Sequence, residues 1–183
     1  MAPAAPRFHV YGFRFTERGV RLRLPYRFGA LTVSACPQVY VRARIRFEDG
    51  RTSEGCAAEM MIPKWFDKNP ALSNEQNFEQ LRQALRNARE AYTTPAAAQR
   101  AWDHFAEHYE DVLAMGLRQG LGPLVASYGP ALIDRAVLDA VCLHRGCGFG
   151  DAMAHNIAGI DLARHDLASD QHGFDLDGFL AQP

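Results

Sequence analysis

The sequence of 183 residues has no apolar run long enough to cross a lipid bilayer, which takes about 20 consecutive residues. Its first residues, Met-Ala-Pro-Ala-Ala-Pro, lack the charged segment and the apolar stretch of a secretory signal. Hydrophobic content of 48% and charged content of 22% are ordinary for a soluble globular protein. These observations predict a cytoplasmic protein without a membrane partner.

A charge excess of one sign is also missing, because 20 Lys and Arg residues nearly balance 21 Asp and Glu residues. The net charge of −1 creates no general field for nucleic acid, so no nucleic-acid partner is expected. Arginines are concentrated before residue 52, whereas the last segment is rich in aspartate. We interpret the arginine-rich segment as a solvated sheet face, because it alternates with apolar residues as a half-buried sheet requires.

Cysteine is scarce and irregularly spaced. The four cysteines are Cys36, Cys56, Cys142 and Cys147. Their spacing is neither a disulfide framework nor the paired spacing of a zinc knuckle, so free thiols are predicted. Cys142 is expected in the core and Cys147 in a loop.

Glutamate is absent after Glu110, which bears on one catalytic motif. His104-Phe-Ala-Glu107-His108 has the H-x-x-E-H order of some zinc metalloproteases, in which two histidines on one helical face hold the metal. No later glutamate can complete such a ligand set. The predicted helix turns Trp102 and Phe105 inward with Tyr109 and Val112, and this places His104 and His108 on a solvated face. No metal ligand and no catalytic residue are therefore assigned.

Strand signals dominate residues 7–60. Alternating runs begin at Phe8 and Val20, with turns predicted at residues 17–19 and a strand end at Pro25. Pro37 is expected to interrupt the next strand. The strongest hairpin follows, with alternation over 39–47, an Asp-Gly turn at 49–50 and a second strand to residue 59. Gly55 predicts a bulge or a close backbone approach.

Helical spacing dominates residues 73–155. Ser73 and Gln76 form a capping-box pattern at the start of the first helix. The predicted apolar stripe of that helix is Phe78, Leu81, Leu85, Ala88 and Tyr92. A second helix is predicted over about 96–119, and a third begins near Gly129 and buries Ile133, Val137, Ala140 and Val141. The predicted class is α+β, an N-terminal antiparallel β-meander followed by a helical bundle.

This order of elements resembles the N-terminal capping domain of the enolase superfamily, in its mandelate racemase and muconate-lactonizing branch. The alternating strand 39–47, the turn at 49–50, Gly55 and Glu59 are similar to the family's hairpin. Residues 131–140, followed by Gly146, are similar to its alanine-rich helix. The resemblance covers about residues 8–158. It implies a capping domain over 1–158, and an acidic linker or the truncated start of a missing barrel over 159–183.

The resemblance implies an isomerase or lyase that acts on a small carboxylate by magnesium-assisted proton abstraction, such as a racemase, dehydratase or cycloisomerase. In that superfamily the metal ligands and bases lie on a barrel of about 200 residues. The alternating β/α pattern of a barrel is absent after Asn156. No catalytic residue is carried over, these 183 residues alone are expected to be inactive, and magnesium is expected only with the barrel. A homo-oligomer is also implied.

The resemblance further implies four substrate contacts in two loops. Arg27 and Phe28 fall in the first loop, and Lys64 and Trp65 fall in the second. A cation can pair with an anionic substrate, and aromatic rings exclude water. Packing of Trp65 and Phe66 against a neighbouring domain is the alternative for those two residues. For the whole chain, the alternative is a non-enzymatic α+β protein-interaction module with the loop 60–66 as its exposed apolar surface.

Overall fold

The computed structural model describes residues 4–29, 31–94, 96–162 and 173–180. Three antiparallel strands form one sheet in the order β1-β2-β3: β1 (Phe8–Phe28), β2 (Leu31–Phe47) and β3 (Thr52–Met60). Within the described residues, six helices follow: α1 (Asn74–Tyr92), α2 (Ala101–Arg118), α3 (Pro123–Ala126), α4 (Tyr128–Arg145), α5 (Phe149–Ala154) and α6 (Leu176–Leu180). The predicted α+β class is confirmed, and the described residues contain no barrel.

The first two strands form one long hairpin, so the turn predicted at residues 17–19 is wrong. Glu17 pairs with Val39, and its carboxylate accepts hydrogen bonds from Arg82 of α1 at 2.8 and 2.9 Å. The chain reverses only beyond Phe28, where Gly29 has a φ of 57°. Pairing with β2 and the ion pair to α1 therefore overrode a local sequence typical of turns.

Both prolines that were expected to break strands lie inside them. Residues 22–25 of β1 face a single residue of β2 between the paired positions 21 and 26, so an enlarged bulge accommodates Pro25. Pro37 pairs with Gly19 in β1, and its carbonyl accepts the Met61 N–H at 2.9 Å. The last pair in the β2–β3 register is Gln38 with Met60. Pro37 therefore lies just beyond the end of this ladder, where its missing N–H breaks no hydrogen bond of the register.

The centre of the core comes from β2, in agreement with its alternation. Its inward side chains are at most 3% exposed: Val39, Val41, Ala43, Ile45 and Phe47. The intervening arginines are exposed, as predicted for a solvated face. Helix α4 covers β2 and β3, and α1 packs on α4. The apolar stripes predicted for these two helices are buried, and the capping box at Ser73 is present.

Gly55 is the point where β3 and α4 come closest. A methyl group at this position would lie 2.2 Å from the backbone oxygen of Ala136 and 2.2 Å from the backbone nitrogen of Ala140. The β2–β3 register is regular through Gly55, so there is no bulge. Of the two predicted alternatives, the close backbone approach is the one observed.

Helix α2 buries Val112 completely, as predicted, but the rest of its buried face differs from the predicted one. His104 is 3% exposed, whereas Trp102, Phe105 and Tyr109 are only half-buried. The His104 ring stacks on Phe8 at a centroid distance of 4.9 Å. The solvated histidine face is therefore wrong, because β1 supplies an aromatic surface that the helix sequence does not reveal.

The end of the chain is described only in part. Within the predicted acidic linker, residues 163–172 and 181–183 lie outside the described residues. Asn156 Nδ2 donates to Asp177 Oδ1 of α6 at 2.9 Å. The boundary at residue 158 stays a prediction. Among the described helices, none combines the length and the apolar character that a membrane span requires.

Candidate functional site

The tip of the β1–β2 hairpin meets the loop between β3 and α1 at a cavity of about 450 Å³. We call it the tip cavity. Its lining residues are Phe28, Gly29, Leu31, Lys64, Lys68 and Pro70. The only two lysines of the sequence both line it, and none of the six residues is acidic. An anionic group therefore fits this cavity better than a cation does.

One buried and one half-buried side chain anchor the loop that carries the lysines. Met61 is completely buried, and its N–H donates to Pro37 O at 2.9 Å. Phe66 packs edge-on against Tyr128 at a centroid distance of 5.0 Å. The expectation of an exposed apolar loop is therefore wrong for these two residues. Trp65 is the large apolar side chain that the loop leaves exposed, at 53%.

Lys64 holds the loop in a strained conformation. Its φ is 61°, a region that costs energy for any residue with a side chain. Its N–H donates to Asn77 Oδ1 at 3.1 Å, and Asn77 is buried in α1. Its ammonium donates to Asn69 O at 2.9 Å and also to Leu72 O. Two of the three ammonium donors are thus used by the loop, which leaves one for a ligand.

Asp67, a carboxylate on which the charge of Lys64 acts, is held by α1. Gln80 Nε2 donates to Asp67 Oδ2 at 2.9 Å, and the Asn69 N–H donates to Asp67 Oδ1 at 2.9 Å. These two bonds, together with the charge of Lys64, keep the pKa of Asp67 below its usual range. Lys68 remains exposed and lines the tip cavity. The carboxylate is therefore committed to Gln80, while Lys68 faces the space where a ligand would lie.

Of the four predicted contact residues, three come together. Phe28 and Lys64 line the tip cavity, and the ring of Trp65 lies 5.2 Å from that of Phe28. Arg27 does not line the cavity. It is exposed, and its Nε donates to Gly29 O at 3.1 Å. Sequence reasoning missed Lys68, although the scarcity of lysine was a signal for it.

The H-x-x-E-H motif does not form a chelating pair. His104 Nε2 lies 3.3 Å from Phe8 O, so that nitrogen carries the proton and donates. His108 Nδ1 donates in the same way to His104 O at 2.8 Å. The two ring centroids are 6.2 Å apart and stacked. Within the described ranges, no three His, Cys, Asp or Glu side chains are grouped so that they could hold a metal ion.

Acidification is expected to destabilise the fold through His104. Burial lowers the pKa of His104 to about 4 from its ordinary 6.5, although the Phe8 carbonyl opposes this shift. As pH falls from 6.5 to 4, the unfolded chain binds a proton that the folded protein refuses, so stability falls by about 3 kcal/mol. Urea unfolding of wild type and His104→Gln across this range measures the effect. A constant difference between the two proteins would contradict it.

A further pair of groups with large pKa shifts, Tyr92 and Asp134, is also absent from the lining of the tip cavity. Tyr92 of α1 donates its hydroxyl proton to Asp134 Oδ1 of α4 at 2.9 Å. Burial raises the pKa of Asp134 to about 7, and it raises the pKa of Tyr92 as well. Shifted groups often mark catalytic sites, but this pair joins two packed helices. We interpret it as part of the core.

No protein-family model matches the sequence, and neither does any curated protein. Among solved structures, an enolase from alpha pretobacterium bal199 with bound Mg aligns with a TM-score of 0.51 and 14% identity, over 75% of this chain and 32% of that one. A mandelate racemase/muconate lactonizing protein from Herpetosiphon aurantiacus aligns with a TM-score of 0.42 and 14% identity, over 75% of this chain and 32% of that one. The L-Ala-D/L-Glu epimerase from Bacillus subtilis aligns with a TM-score of 0.33 and 18% identity, over 75% of this chain and 30% of that one.

The enolase alignment shows a shared fold. At 14% identity it carries no residue roles over to this chain. The chain spans about a third of the length of each of these three structures. The resemblance stated from the sequence is therefore confirmed at the level of the fold, over about a third of the enolase structure.

Proposed function

We propose that this chain is the capping part of an enolase-superfamily-like enzyme and that its tip cavity helps to enclose a carboxylate substrate over a barrel active site. The observation that carries the proposal is the convergence of both lysines with Phe28 at the hairpin tip, beside Trp65. The shared fold supports the same assignment. The reaction would be proton abstraction next to the carboxylate, and the barrel would supply its bases.

The division of labour at the tip cavity follows from the contacts. Lys64 has one free ammonium donor beyond its two loop bonds, so it would contribute one hydrogen bond to a carboxylate. Lys68 is exposed and would contribute charge. Phe28 and Trp65 present apolar surface that would exclude water above the substrate. Arg27 lies outside the cavity lining and would act only at longer range.

Magnesium does not fit the part of the chain that the structure describes. The tip cavity is lined by two cations and no carboxylate, which repels a divalent metal instead of binding it. No other described cluster offers three suitable side chains. The proposal therefore gives these residues no metal. Magnesium, like the homo-oligomeric assembly, stays an expectation for a protein that includes a barrel.

A non-enzymatic interaction module has less support. Such a module would use the loop 60–66 as an apolar surface, but Met61 is completely buried and Phe66 packs on Tyr128. The apolar area left for a partner is mainly that of Trp65. Contact between this residue and a neighbouring barrel would serve the proposed capping role equally well.

Carboxylate binding at the tip cavity is expected to change the emission of Trp65. In a Trp102→Phe background, Trp65 is the sole tryptophan, so titration with lactate and succinate reports on this site. Lys68→Gln should weaken binding about fivefold, equivalent to about 1 kcal/mol for one exposed charge pair. Chloride at matched ionic strength controls for screening.

Arg44→Gln is the matched control. It removes one exposed positive charge from the sheet face, away from the tip cavity. We expect this variant to bind as the parent does. An equal loss of carboxylate affinity in both variants would contradict the proposed role of the tip cavity. The absence of a carboxylate-dependent change in Trp65 emission would contradict it as well.

The capping role itself has a separate test. The reading frame after the codon for Pro183 should continue into a barrel with spaced acidic residues and a K-x-K segment. These 183 residues alone should then show no racemisation or dehydration of carboxylates in the presence of magnesium. Turnover by the chain alone would overturn the capping assignment, and a stop codon would favour the interaction module.

A further inference from the structure

The end of α4 brings two thiols together. After Arg145 the chain reverses at Gly146, which has a φ of 65°. The Cys147 N–H donates to Cys142 O at 3.1 Å, and the Gly146 N–H donates to Leu143 O at 3.2 Å. This bond pair is a Schellman ending, in which the side chains at its first and last positions meet. Both of these positions are cysteines.

The two thiols are in contact with each other but differ in their exposure to solvent. Cys142 is 7% exposed, and Cys147 is half-buried against the same core cluster. Burial raises the pKa of the Cys142 thiol, and the neighbouring Cys147 raises it further. The backbone turn draws the two residues together, and the two thiols lie within hydrogen-bond reach of each other. A bridge would therefore close with little rearrangement of the helix end.

A cavity gives solvent access to this pair. It has a volume of about 470 Å³, lies between β3 and the end of α4, and is lined by Cys142 and Cys147. We call it the thiol cavity. Cys56 of β3 also lines it and is exposed. The Cys56 N–H donates to Asp139 Oδ2 at 2.8 Å, which ties the strand edge to α4. A small molecule can enter this space without opening the core.

We propose that Cys142 and Cys147 are a reversible oxidation site that closes to a disulfide by exchange with a small-molecule disulfide in the thiol cavity. The more exposed Cys147 attacks first as a thiolate. It forms a mixed disulfide with one half of the reagent, and the other half leaves. Cys142 then attacks Cys147 Sγ as a thiolate, closes the bridge and releases the second half. Two protein thiols lose two electrons and two protons, and the reagent gains them as two thiols.

The test uses the full chain and oxidised glutathione as the reagent. Before alkylation, the intact mass should be lower by one pair of hydrogens. After alkylation of the remaining thiols, peptide mapping should find Cys142 linked to Cys147. Reduction with dithiothreitol should restore the mass. Cys56→Ser is the matched control, because it removes a thiol of the same cavity and should leave the bridge unchanged.

Two further variants separate the steps. Cys142→Ser should trap glutathione on Cys147, whereas Cys147→Ser should form no bridge at all. Because Cys142 is in the core, Cys142→Ala provides a second replacement, which is apolar where serine is polar. Circular dichroism establishes that each variant is folded. A bridge that contains Cys56, glutathione that persists on wild-type Cys147, or two thiols that stay free under these conditions would each overturn the proposal.

Discussion

Replacing Gly55 by alanine is expected to destabilise the protein by about 4 kcal/mol, more than overpacking usually costs, because both clashing groups are backbone atoms. The added methyl would lie 2.2 Å from Ala136 O and from Ala140 N, so α4 must move away from β3. That movement would disturb the layer in which α4 covers the sheet. In a chain of 183 residues, the melting temperature should fall by roughly 8–16 °C.

Gly19→Ala is the matched control for this substitution. Gly19 also lies in a strand, is paired in register with Pro37, and has no atom within 4 Å of an added methyl. The melting temperature of Gly19→Ala, measured by circular dichroism, should therefore be nearly that of wild type. Equal losses in the two variants would mean that strand glycines matter for their backbone and not for the contact with α4.

Stability at alkaline pH is expected to rise when Asp134 is replaced by asparagine. Burial raises the pKa of Asp134 to about 7, against the bonding effect of Tyr92, from an ordinary 3.8. Between these values the folded protein keeps a proton that the unfolded chain has released, so stability falls as pH rises. The full penalty, about 4 kcal/mol, is present above pH 7 and absent below 3.8. Asparagine does not ionise and can still accept the Tyr92 hydroxyl proton.

Urea unfolding of Asp134→Asn and wild type at about pH 4 and about pH 8 measures this difference. The free energy of unfolding of the variant should rise relative to that of wild type as pH rises. Contributions that both proteins share, including that of His104, cancel in this difference. Tyr92→Phe provides the internal control. It removes the bond that lowers the pKa of Asp134, so its total loss of stability between these two pH values should be larger. A pH-independent offset in Asp134→Asn would refute the prediction.

The parts of the fold that sequence predicted well depend on near neighbours along the chain. The alternation in β2 and the stripes of α1 and α4 are periodicities that a single buried face imposes on a strand or helix. Ser73 and Gln76 satisfy each other within one helical turn, so the start of α1 was also readable. Gly55 was recognised as unusual, but only α4 decided between a bulge and a close approach.

The parts that sequence predicted poorly depend on distant residues. Glu17 belongs to a strand because Arg82 and Val39 hold it there, although its local sequence is typical of a turn. His104 is buried because the Phe8 ring covers it, and nothing near position 104 indicates this. The candidate site shows the same limit. Phe28, Lys64 and Trp65 were predicted through the family resemblance, whereas Lys68 emerged only from the cavity.

By itself, the sequence determined the order of a β-meander and helices and the buried faces of β2, α1 and α4, because these follow from repeats of two or about 3.6 residues. Tertiary structure alone decided the length of the hairpin, the burial of His104 on α2 and the meeting of both lysines at the tip cavity. The physical reason is that each of these depends on contacts between segments far apart in the chain. The free energy of such contacts exceeds the weak local preferences of turns, prolines and helix faces.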